Sequence, residues 1–146
     1  ALLALACAQQ PSADAACAQQ PRETAEALLV DDPYAFNPLL LPAHVALARV
    51  DLLRRENGKA QQRLQRAIAE APHQQLPAHD VRLLDAQLWL ALVVATDCAG
   101  AQRDAAVALA HADTLSEPQR AWLADARAAL RDSRRCTVPP TQAPSQ

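Results

Sequence analysis

Glycine is almost missing from this chain of 146 residues, with only Gly58 and Gly100 present. A glycine-rich loop that cradles phosphate is therefore excluded, because such loops need several close backbone approaches. Aromatic residues make up 3% of the chain: Tyr34, Phe36, Trp89 and Trp122. Lys59 is the one lysine, so the basic residues are otherwise arginine, which reads as a coding bias and not as a phosphate site. The formal net charge is −2 and the pI about 6.1, which excludes the broadly basic face that nucleic acid requires. No Cys-x-x-Cys occurs, so neither a thioredoxin-type site nor a zinc ribbon is indicated. The longest apolar run, "LWLALVVA" at Leu88–Ala95, falls far short of the roughly 20 residues a membrane helix needs.

Catalytic and metal chemistry are absent in the same way. No serine sits in a nucleophile-elbow context with a histidine and an acid. The histidines are His44, His73, His79 and His111, and no cysteine or carboxylate pattern completes a zinc set of three or four ligands. The expectation is a protein that is not an enzyme, with no catalytic residue, metal, cofactor or small-molecule substrate.

What the chain does contain is helix-forming material. Hydrophobic residues make up 51%, and most of them are alanine and leucine. Both favour helices, and β-branched residues are scarce. An all-α fold of about five helices follows. Helix A is expected from about Pro42 to Glu56, helix B from Lys59 to Ala71 and helix C from Pro77 to Asp97. Helix D is expected from Ala101 to Asp113 and helix E from Pro118 to Arg134. Glycines or prolines punctuate most of these limits. Helix C is apolar on two faces and belongs at the centre, with Asp85 at a solvated edge. Helix E opens on a capping box, Ser116 with Gln119. Its buried face should hold Trp122, Ala126, Ala129 and Leu130. A loop at Asp31–Pro38 carries Tyr34 and Phe36, and a shorter helical stretch precedes it at Glu23–Val30.

The tetrapeptide "LPAH" occurs at Leu41–His44 and again at Leu76–His79, 35 residues on. Helices B and D also match, in Ala60-Gln61 with Ala101-Gln102 and in Ala67, Ile68, Ala69 and Ala71 with Ala108, Leu109, Ala110 and Ala112. The A–B and C–D pairs thus read as two copies of one helical hairpin, stacked antiparallel, with helix E as a C-terminal cap. Pro42 and Pro77 should each open a helix at the same end of the stack. His44 and His79 would then lie roughly 8–10 Å apart at typical helix separations. Leu47, Ala48, Ala60, Leu64, Ala67, Ile68 and Pro72 carry about the spacing of the tetratricopeptide repeat, which the unit resembles. That resemblance implies a right-handed helical stack whose groove binds a peptide or a helix.

The opening "ALLALACAQQ" reads as the end of a secretory apolar region. Ala4–Cys7 resembles a bacterial lipoprotein signal, in which Cys7 would be acylated; Ala4-x-Ala6 also fits ordinary signal cleavage. Residues 1–22, with "ACAQQP" twice, form a polar tether carrying Cys17; residues 23–136 form the domain; residues 137–146 form a disordered tail. Cys98 is placed at the end of helix C and Cys136 after helix E. If those ends share one side of the bundle, a disulfide closes a loop of about 38 residues and contributes about 3–4 kcal/mol. Such a bridge fits export; two reduced cysteines in a cytosolic protein are the alternative. Taken together, these features suggest a periplasmic, outer-membrane-anchored module that binds a protein or peptide of the bacterial envelope and touches the membrane only through its lipid. A cytoplasmic helical adaptor without an anchor is the other reading.

Overall fold

The computed structural model describes residues 15–29, 39–95 and 98–132. Among them every regular element is helical and there is no strand. The helices are α1 (Ala15–Leu29), α2 (Leu40–Leu53), α3 (Asn57–Glu70), α4 (Val81–Val94), α5 (Cys98–Asp113), α6 (Glu117–Trp122) and α7 (Ala124–Asp132). A 3₁₀ turn at Ala71–Gln74 extends α3.

Among the described residues seven α-helices stand where about five were expected, for two reasons. First, α1 begins at Ala15, inside the expected tether, and contacts α2. Its polar stretch is held by local bonds: the Gln19 side chain reaches Glu23, and the Thr24 hydroxyl donates to the Gln20 carbonyl at 3.0 Å. Second, the expected helix E breaks at Leu123. The Leu123 amide bonds the Arg120 carbonyl at 3.1 Å, a tightened turn that drives the Leu123 side chain fully into the core. Trp122 is left 51% exposed and is not the anchor of that segment. Ala126 and Leu130 are buried there as expected, and Gln119 Oε1 accepts from the Ser116 hydroxyl at 2.8 Å and its amide at 3.2 Å.

The two LPAH copies do not share one role. Pro42 lies in the first turn of α2, where its missing N–H costs no bond. Pro77 opens nothing. It lies in the loop before α4, whose N-cap is Asp80, with the Asp80 carboxylate accepting from the Arg82 amide at 2.9 Å. A side-chain cap fixes the helix start more strongly than proline does.

Neither glycine stops a helix. Gly58 and Gly100 both lie in first turns, of α3 and α5. The stop after α2 is made by Arg55, which takes the left-handed conformation at φ 63°. The Glu56 amide bonds the Asp51 carbonyl at 2.9 Å and the Arg55 amide bonds Leu52 at 3.0 Å, the paired bonds of a Schellman motif. Gln75, at φ 53°, closes the 3₁₀ turn in the same way through Leu76 to Ala71 and Gln75 to Pro72.

Helix α4 is central as its two apolar faces require: it contacts α2, α3, α5, α6 and α7. Alanine lets neighbours come close. Ala60, Leu64, Ala67 and Ala71 are buried along α3 and its extension, and Ala101, Ala105, Ala108 and Ala112 are buried along α5.

Candidate functional site

Three features stand out on this frame. The first is a groove of ≈ 340 Å³ between α3, α4 and α5. Ile68, Leu90, Ala91, Val94, Val107 and Ala108 give it an apolar lining. Helical spacing explains the face: Leu90, Ala91 and Val94 follow one another on α4, and Val107 and Ala108 sit side by side on α5. Val107 is 69% exposed, a large side chain left in water by its own fold. Gln87 and Asp104 supply the polar edge, and Asp104 makes no ion pair among the described residues.

The second is a cleft of ≈ 400 Å³ between α1, α2 and α3. Beneath it Asp51 is wholly buried, at 0% exposure. Arg63 Nε donates to Asp51 Oδ2 at 3.0 Å, and Arg22 Nη2 stands 2.9 Å from Asp51 Oδ1, as an ion pair out of hydrogen-bond alignment. Glu26 Oε1 joins the same two arginines, at 2.6 Å from Arg63 Nη2 and 3.1 Å from Arg22 Nε. Burial alone would raise the Glu26 pKa, but the bonds and charges of Arg22 and Arg63 outweigh it and hold the carboxyl below its ordinary value. Glu56 extends the network to Lys59 at 3.0 Å.

His44 borders the same cleft. It is 5% exposed, and its Nδ1 is buried without a hydrogen-bond partner. Burial pushes its pKa down to about 4; Arg63 and Arg66 add to that, and Glu70 opposes them. The imidazole is therefore neutral at pH 7.

The third is a buried acid. Asp85, expected at a solvated edge, is 9% exposed beneath α6. Burial drives its pKa up to about 6, partly offset by the charge of Arg49 and the indole N–H groups of Trp122 and Trp89, and Asp125 adds to the rise. Trp89 Nε1 favours the carboxylate without forming a well-aligned bond. Arg49 lies 4.9 Å from the centre of the Trp89 ring and bonds Asp125 Oδ2 at 2.6 Å, tying α2 to α7.

The expected partnership of His44 with His79 gives way to another. His79 stacks on His111, with ring centres 3.8 Å apart, while His44 is enclosed by α1–α3. Stacked rings direct their nitrogens along their own planes and do not converge on one ion. Among the described residues no group of three or more histidines, cysteines or carboxylates could hold a metal.

Of the expected modification sites, Cys7 and Cys136 lie outside the described residues, as do Tyr34 and Phe36. Cys98 is the first residue of α5 and not, as expected, the last of the preceding helix. Cys17 falls within α1. Sequence reasoning passed over Asp51 altogether; its only signal was an acid on the apolar helix α2, two residues after Arg49.

Among the described residues no helix is long and apolar enough to cross a membrane. The chain matches no family model, no curated protein and no solved structure.

Proposed function

We propose that this chain is a binding module built from two related helical hairpins, α2–α3 and α4–α5, capped by α6–α7, and that it holds a segment of a partner protein in the α3–α4–α5 groove. The open apolar groove with Val107 at its lip carries this reading. A partner helix with aliphatic side chains would cover the lining, and a lysine or arginine on it would meet Asp104. The hairpin relationship draws support from burial. Ala60, Leu64, Ala67 and Ala71 are buried on one unit, and Ala101, Ala105, Ala108 and Ala112, each 41 positions later, on the other. The "LALAC" stretch at the start supports a lipid anchor on Cys7 and a place in the bacterial envelope as an assembly or accessory component.

A photo-crosslinking residue at Val107, used in the producing cell, tests the groove. Capture of one specific protein, abolished by Val94→Glu, supports the reading. A crosslink pattern indifferent to that change refutes it. Mass spectrometry of Cys7 tests the anchor separately; an unmodified thiol on a cytosolic chain would turn the reading to an adaptor without an anchor.

A further inference from the structure

The geometry points to the cleft between α1, α2 and α3 as a binding site for a small oxyanion, a phosphate or carboxylate, gripped by Lys59, Arg63, Arg66 and the Gln62 amide beside the buried imidazole of His44. This site is separate from the α3–α4–α5 groove and does not depend on what binds there.

Spacing puts the cations on one wall. Lys59, Arg63 and Arg66 follow at i, i+4 and i+7 along α3, one face of that helix. Nearly everything on the lining donates hydrogen bonds: an ammonium, guanidiniums, an amide and an imidazole N–H. Among the described residues Glu26 is the one carboxylate on the lining, and its Oε1 is engaged by Arg22 and Arg63. A site rich in donors selects an acceptor-rich ligand and rejects cations.

The cations are not all committed. Arg22 and Arg63 compensate Asp51 and Glu26 in the buried layer. Lys59 and Arg66, in contrast, are exposed cations, paired with the partly buried Glu56 and Glu70. Exposed pairs of that kind are weak and are readily exchanged for a better anion. A phosphate or carboxylate between Lys59 and Arg66 would accept charge-assisted bonds from both at once.

His44 is the independent observation. A buried ring nitrogen with no partner is costly in a folded protein. With the imidazole proton on Nδ1, a ligand oxygen in the cleft accepts from it and gives the partnerless nitrogen its bond. Both arginines of the wall act on this ring with positive charge, and Arg63 outweighs the opposing Glu70. The same field that disfavours a proton on His44 favours an anion next to it.

Free oxyanions and the headgroups of anionic lipids share this chemistry. The test uses the full chain and the variant Lys59→Gln/Arg66→Gln, which alters exposed residues only and whose helicity is checked by circular dichroism. Inorganic phosphate is titrated by calorimetry at constant ionic strength against chloride, while the His44 ring is followed by NMR. Vesicles of phosphatidylglycerol and of phosphatidylcholine are tested by co-sedimentation. Saturable phosphate binding that moves the His44 signals, and that weakens roughly tenfold or more in the variant, establishes a site for a free anion. Binding only to phosphatidylglycerol, lost in the variant and felt at His44, identifies a lipid headgroup. Absence of both, binding that the variant does not weaken, or binding that leaves His44 unmoved overturns the proposal.

Discussion

Arg22 Nη2 lies 2.9 Å from Asp51 Oδ1, joining α1 to the buried side of α2. Asp51 has no solvent of its own, and among the described residues Arg22 and Arg63 balance its charge. Removing Asp51 leaves two largely buried guanidiniums to share Glu26, under-compensated out of water. Asp51→Ala should therefore destabilise the fold by about 3–5 kcal/mol. Arg22→Ala should loosen α1 first, seen as faster proteolysis within Ala15–Leu29 while α4 stays protected. Urea unfolding and limited digestion check the pair; a loss under about 1 kcal/mol for Asp51→Ala would contradict this account.

The pH dependence between about 4 and 6.5 should be a contest between His44 and Asp85. His44 falls from an ordinary 6.5 to about 4, so its stabilising contribution is complete above 6.5 and lost as pH drops through that window. Asp85 rises from 3.8 to about 6, so the folded state holds its proton more tightly and gains stability as pH drops below 6. Each effect is about 3 kcal/mol, with opposite sign, so they largely cancel. Asp85→Asn should raise stability at pH 7.5 and make it fall steeply toward pH 5. His44→Phe should leave stability rising toward acid. Denaturant midpoints at the two pH values decide; parallel profiles for all three proteins would contradict the assignment.

Arg55 and Gln75 hold left-handed backbone that glycine adopts without strain. Arg55→Gly and Gln75→Gly should each stabilise the chain, by roughly 0.5–1 kcal/mol, because the relief of the Cβ clash outweighs the added freedom of the unfolded chain. Thermal melts of the single and double variants measure this, and additivity is expected because the sites share no partners.

Leu123, not Trp122, anchors the C-terminal segment. Leu123→Ala should cost about 2–5 kcal/mol through a core cavity. Trp122→Ala should cost about 1 kcal/mol, mainly the bond its indole gives Asp85. The reverse order in chemical denaturation would show that the segment sits differently.

The capping box at Ser116 and the buried set of α7 were legible because both are local: one depends on four consecutive residues, the other on helical period. Pro77 misled because a turn residue says where a helix is permitted to start, and the Asp80 cap decides where it does. Gly58 and Gly100 misled for the matching reason; Arg55 and Gln75 took the left-handed positions that glycine usually fills.

Composition and period by themselves determined the helical class, the central place of α4 and the alanines that recur 41 positions apart on α3 and α5. These follow from propensity and from which residues share a face. Only the tertiary structure decided that Asp51 and Asp85 are buried, that His79 meets His111, and that Lys59, Arg63 and Arg66 wall a cleft beside His44. Period assigns a residue to a face but says nothing of what covers that face. A carboxylate there reads as a solvated edge until a distant helix supplies its partners, as α1 and α3 do for Asp51.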